Sequence, residues 1–128
     1  IHSSFRGSGF LKYKDDFFLF INLEKEKFSK SANYHNAFLS KDTFTYQSKP
    51  SQSQDKSDGQ RLCQNEKFGV KLHIFVRKFV QVDKKTQNFI YLGLANSVKY
   101  EGNKPISLEL KLEIPLDDKL FEEFTKIV

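Results

Sequence analysis

Alternation of apolar and polar side chains is clearest from Val70 to Val82, VKLHIFVRKFVQV. Val70, Leu72, Ile74 and Val76 share one face of a strand, and Lys71, His73, Phe75 and Arg77 share the other. Lys78 interrupts a phase that Val80 and Val82 otherwise keep, which predicts a bulge or bend at that point. Asp83 to Gln87 then reads as a turn and Phe89 to Ala95 as the returning strand of a hairpin. Phe17 to Leu23 is apolar on both faces until Asn22, the pattern of an interior strand, and Glu24 to Lys27 is its solvated end or a turn. Thr43 to Ser48 alternates polar with aromatic as a half-exposed strand does, while Tyr34 to Leu39 fits one helical turn or a loop. Ile106 to Ile114 alternates strictly with its polar face toward solvent. Past Pro115, the spacing of Leu116, Leu120, Phe121, Phe124 and Ile127 predicts one short amphipathic helix, with Asp117 and Asp118 near its start.

About six strands, little helix and no βαβ rhythm predict a mainly β (α+β) fold, a curved antiparallel sheet or barrel with one or two short helices. The 128 residues suit one domain spanning 1–128, and an opening Ile1 in place of Met leads us to expect a piece of a longer protein. With fourteen Phe and no Met or Trp, aromatic rings and branched aliphatics must fill the core. The longest apolar run, Phe17 to Ile21, is far too short to span a bilayer, and residues 1–9 hold no signal-peptide hydrophobic region. No membrane partner is expected, and a cytoplasmic location is. Cys63 stands alone, so an internal disulfide and a four-cysteine zinc site are both excluded, and a buried structural thiol is the plainer role. His2, His35 and His73 occur in no metal-ligand spacing, so neither a metal nor a cofactor is expected.

Charge changes the picture mid-chain. The net charge is +5, and residues 44–78 hold seven basic against three acidic side chains, whereas residues 79–128 hold seven against eight. Within that basic stretch, Lys49 to Gln60 (KPSQSQDKSDGQ) has no apolar residue apart from Pro50 and reads as a polar loop. Lys and Arg neutralise phosphates, Ser donates to phosphate oxygens, and Gln and Arg can form bidentate pairs with adenine and guanine. Such a loop is equipped to read DNA, although a solvated loop has the same composition. Catalysis has little support: Gly7-Ser8-Gly9 lacks the rest of a phosphate-binding loop, and Glu109-Leu110-Lys111 fits an exposed strand face as well as it fits a nuclease centre. A non-enzymatic module is therefore expected, with no catalytic residue.

The run Asp42-Thr43-Phe44-Thr45-Tyr46-Gln47-Ser48 with Gly59-Gln60-Arg61 resembles an F-x-[WY]-x-S…S…G pattern. GVKLHIFVRK at 69–78, FIYLG at 89–93 and YEGNKPI at 100–106 follow in order. Together, over about residues 34–124, they resemble the C-terminal domain of unknown function of bacterial helicase-like proteins, which often carry a phospholipase-D-type nuclease and include restriction enzymes. That resemblance implies an open pseudobarrel of six to seven strands, like DNA-binding effector domains that grip the major groove with two arms. It further implies duplex DNA as partner, alongside the nuclease and helicase modules of the parent. Tyr46 stands where Trp is common in the family. Gln47, Gln54 and Arg61 are the expected base readers, and Lys49, Lys56 and Lys78 the expected phosphate contacts. Arg77 suits either role, Arg6 suits a second arm, and His35, Tyr46, Ser48, Ser51 and Ser57 complete the expected contact set. Two alternatives stay open: a modified-cytosine reader that flips a base into a barrel pocket, and a docking domain between nuclease and helicase.

Overall fold

A computed structural model describes residues 9–24, 36–79 and 81–126 of the chain. The elements, in chain order, are β1 (Gly9–Tyr13), β2 (Asp16–Glu24), β3 (Thr43–Gln47), α1 (Ser57–Cys63), β4 (Lys71–Phe79), β5 (Gln81–Val82), β6 (Lys85–Thr86), β7 (Ile90–Glu101), β8 (Ser107–Leu112) and α2 (Asp118–Thr125). Six strands form one mixed sheet in the order β1-β2-β4-β7-β8-β3, and β5-β6 is a separate two-residue ribbon. The molecule is mainly β, and its sheet stays open: β1 and β3 are edge strands with no ladder joining them.

The period-two pattern of β4 decides which face is buried. Leu72, Ile74 and Val76 are fully buried, and so are Phe17, Leu19 and Ile21 of β2, which stand opposite them in register. Phe44 and Tyr46 of β3 and Leu108 and Leu110 of β8 continue this layer, which Leu62 of α1 and Phe124 of α2 cover. Each such side chain contributes about 1.5–3 kcal/mol on burial, so this shared layer is the main adhesive of the fold. Strand phase along the chain thus predicts the inner face correctly.

Three expectations need correcting. The β2–β4 pair is parallel, not antiparallel, because the chain between them makes a long crossover through β3 and α1, as parallel pairing requires. The irregularity expected at Lys78 sits instead between Ile74 and Phe75, where β7 supplies Gly93 at φ 90°, a conformation open to glycine. Lys78 remains in the strand, and its Nζ donates to the carbonyls of Glu123 (3.1 Å) and Lys126 (2.5 Å) at the end of α2. The start of that helix is capped by Asp117, whose Oδ1 accepts from the Leu120 N–H at 2.7 Å. Finally, the polar stretch ends in a helix, since α1 begins at Ser57.

The outer face carries aromatic pairs. Phe18 stacks on His73 and Phe20 on Phe75, each at 4.8 Å between centroids. His73 lies within hydrogen-bond distance of Asp16 Oδ1 (2.9 Å) and of the Tyr91 hydroxyl (3.1 Å), a half-buried histidine with both ring nitrogens occupied.

Candidate functional site

Strand register gathers three connections at one end of the sheet. Tyr13 lies opposite Asp16, Asp16 opposite Lys71, Glu101 opposite Ser107, and Ser107 opposite Gln47. The β1–β2 turn, the segment from Ser48 through α1, and the β7–β8 turn are therefore neighbours.

The segment from Ser48 to Lys56 is an arm folded onto that end. Ser48, Gln52 and Ser53 are buried despite their polarity, and each is bonded within the fold. Ser48 Oγ accepts from the Ile106 N–H (2.8 Å), and Gln52 Oε1 accepts from the Lys49 N–H (3.2 Å). The Lys104 N–H donates to the Gln52 carbonyl (2.8 Å). Gln54 donates from its backbone N–H to Asn103 Oδ1 (2.7 Å) and from Nε2 to the Gly102 carbonyl (2.8 Å). Ser53 donates to the Asp55 carboxylate, and that hydrogen bond holds the Asp55 carboxyl below its ordinary range. Gly59 lets α1 lie directly on the arm: a Cβ there would stand 1.9 Å from the Ser53 carbonyl oxygen.

This bonding divides the polar residues into two sets. Ser48, Gln52, Ser53 and the Gln54 amide face inward and fasten the arm. Lys49, Ser51, Lys56, Ser57 and Gln60 are exposed. The Lys49 ammonium rests over the Phe10 ring, 5.3 Å from its centroid.

Arg61 ties this arm to the β1–β2 turn. Its Nη2 donates to the Lys14 carbonyl (2.7 Å) and to Asp15 Oδ1 (2.8 Å), and the guanidinium lies 5.0 Å from the Phe17 ring centroid. A Lys12–Asp58 ion pair at 2.8 Å makes a second tie. The turn so held presents Tyr13, 65% exposed, and Lys14 at φ 55°. Neither residue was in the expected contact set, nor was the exposed Lys104 of the β7–β8 turn. A Lys-Asp pair between two strand-like runs is the only sequence signal that marks this tip.

Other expected contacts fall elsewhere. Tyr46 is buried under the sheet, and desolvation pushes its phenol well above the ordinary range. Arg77 is 3% exposed; Nε donates to Asn22 Oδ1 (2.6 Å), Nη1 to the Gln87 carbonyl (2.9 Å), and the guanidinium stacks on Phe89 at 4.2 Å. Burial pulls its pKa down, the mark of a charge held in the interior. Arg77 and Lys78 belong to the opposite half of β4 and serve the scaffold, not the arm. Arg6 and His35 lie outside the described residues. Gln47 is half-buried: Nε2 donates to Ser107 Oγ (3.3 Å), and Oε1 has no partner. Together with Phe10, Tyr46 and Lys49, Gln47 lines a cavity of about 140 Å³ between the two edge strands.

Glu109 and Lys111 diverge into separate cross-strand pairs, Glu109 with Lys99 and Lys111 with Asp42, both at 3.9 Å. Among the described residues no group of three or more His, Cys, Asp or Glu could hold a metal ion, and no helix is long and apolar enough to cross a membrane. No curated protein matches the chain. A family model does, over residues 1–124, so the chain belongs to the family described as "Domain of unknown function (DUF3427)".

Proposed function

We propose that this domain is a non-catalytic reader of duplex DNA, acting as the target-recognition module of a bacterial restriction enzyme in the cytoplasm. The observation that carries this reading is the division of labour in the arm. Its inward polar groups fix the backbone, and its outward ones (Lys49, Ser51 and Lys56) are exposed, beside Ser57 and Gln60 of α1. An arm ordered before binding loses little entropy when it docks, which favours specific contact over loose adhesion.

The β1–β2 tip acts as a further arm on this face. Lys14, Lys49, Lys56 and Lys104 neutralise phosphates on either side of the groove, while Ser51, Ser57 and Gln60 face base edges. Arg61 and Gln54 position these groups from behind and do not read bases. The resemblance to restriction-associated proteins supplies the biological setting: a nuclease and a helicase in the parent protein act where this module binds.

Selection of bound duplexes from a random library tests the proposal. It predicts recovery of one short consensus with a defined register. Recovery of unselected sequences, at affinities equal to those for single strands, would favour a docking role between the parent's modules.

A further inference from the structure

Tyr13 is the most exposed aromatic residue among those described, at 65%. Tyr91, at 52%, is held by a His73 ring nitrogen and by the Phe75 ring. Tyr13 has no such support. Among the described residues its hydroxyl has no hydrogen-bond partner and no other ring stacks on it; the Lys14 ammonium stands 5.3 Å from its centroid.

A lone exposed aromatic is ordinary on a protein surface. What sets Tyr13 apart is how firmly its turn is held and what surrounds it. Arg61 donates to the Lys14 carbonyl and to Asp15 Oδ1, and the Lys71 N–H donates to the Asp15 carbonyl at 2.8 Å. Lys12, just before Tyr13, pairs with Asp58 of α1. Both flanks of the ring are therefore tied to other elements, and the backbone that carries it has little freedom to yield.

The surroundings are cationic. Lys14 follows Tyr13 directly, and the exposed Lys71 stands next to Asp16, the residue opposite Tyr13 in register. Lys49, Lys56 and Lys104 are exposed at the same end of the sheet. A stiff ring set among ammonium groups is complementary to a surface with phosphates on its rim and flat π-faces within a ring's reach behind them. A stack of base pairs is such a surface. A ring that enters between two base pairs replaces part of the stacking it breaks, while the cations meet the phosphates. Stiffness matters because the base step resists opening, and a loose turn would give way first.

We propose that the Tyr13 ring is a wedge that enters between adjacent base pairs of the bound duplex and kinks it, with Lys14 on a phosphate beside the opened step. The inference rests on the DNA-reading proposal, since the duplex it opens is the one the arm docks against. Tyr13 does not select the sequence: every base offers a π-face, so the ring acts on DNA shape and on affinity.

Two measurements test it. The chain has no tryptophan, so Tyr13→Trp places a single indole at the proposed contact. Its emission is expected to be quenched when the selected duplex binds, and acrylamide to lose access to it, as stacking between bases requires. Energy transfer between dyes on the two duplex ends is expected to report a bend of about 20° or more with the parent. Tyr13→Ala is expected to melt as the parent does, because the side chain lies mostly in water. It should leave the duplex straighter and bind it about five- to tenfold more weakly. Tyr13→Phe keeps the ring and is expected to keep both the bend and the affinity.

Duplex binding that leaves the indole emission unchanged, leaves the DNA straight, or bends it equally with Tyr13→Ala would overturn the wedge and leave DNA reading intact. No binding of any duplex by the parent would overturn both. Should Tyr13→Ala fail to fold, Tyr13→Gln, which keeps the reach without the ring, takes its place beside the indole measurement.

Discussion

Replacing Arg77 by Met keeps the side-chain length and removes the guanidinium from its cage. Two charge-assisted hydrogen bonds are lost, to Asn22 Oδ1 at 2.6 Å and to the Gln87 carbonyl at 2.9 Å. Bonds of that type contribute about 1.5–3 kcal/mol each. Contact with the Phe89 ring at 4.2 Å adds about 0.5–2 kcal/mol. Against these losses, Met no longer has to bury a charge, and that relief recovers a substantial part of the total. The balance is a net destabilisation of about 2–4 kcal/mol, roughly 10 °C in melting temperature for a domain of this size. Thermal unfolding followed by circular dichroism measures the loss, and duplex affinity measured well below the new midpoint tests for a binding role. The account expects a large fall in stability with unchanged affinity. A variant that melts within 2 °C of the parent but binds DNA tenfold more weakly would refute the scaffold role and restore Arg77 as a contact.

Other predictions separate fastening from reading. Gly59→Ala forces its new methyl against the Ser53 carbonyl, at a cost of about 3 kcal/mol, and hydrogen exchange should show the amides of residues 52–56 losing protection. Lys56→Ala should leave stability within about 0.5 kcal/mol and reduce the salt dependence of duplex affinity by about one unit of slope. Arg61→Ala should destabilise by about 1–2 kcal/mol and weaken all duplex sequences alike, since it frees the Tyr13–Lys14 tip without removing a base contact. Burial raises the Cys63 thiol from 9.0 to about 11. Because the folded pKa is the higher one, the stability this contributes is present below pH 9 and is lost as pH rises toward 11. Denaturant midpoints should therefore fall over that window less steeply in Cys63→Ala than in the parent.

Much of the sheet was legible because its determinants are local. The phase of β4 follows from Val70, Leu72, Ile74 and Val76 alone, and α2 follows from the spacing of its apolar residues plus the Asp117 cap. The arm was not legible in that way. Its order depends on bonds from Gln52 and Gln54 to residues 102–104, some fifty positions away, and polar loop residues carry no periodicity that reports them. Arg77 misled for a related reason. Alternation places it opposite Val76, but nothing local says that Gln87 and Phe89 return to cover that side. Lys78 shares the phase of the core face, and its stem carries the amine past that face to the end of α2, a reach that side-chain length permits and sequence spacing does not reveal. Among the candidate contacts, Lys49, Ser51, Lys56 and Ser57 are exposed, whereas Gln54 and Arg61 are engaged by the fold.

Lys49 and Lys56 sit exposed on an ordered arm, which we propose holds duplex DNA. The most direct test is the affinity of the chain and of its Lys49→Ala/Lys56→Ala variant for a selected duplex, the matching single strand and the matching RNA, at 50 and 200 mM salt. The account predicts that the parent prefers the duplex over both competitors, and that the variant melts as the parent does while its salt slope falls by about two phosphate contacts. Equal affinity for all three nucleic acids, or a variant with an unchanged salt slope, would contradict it.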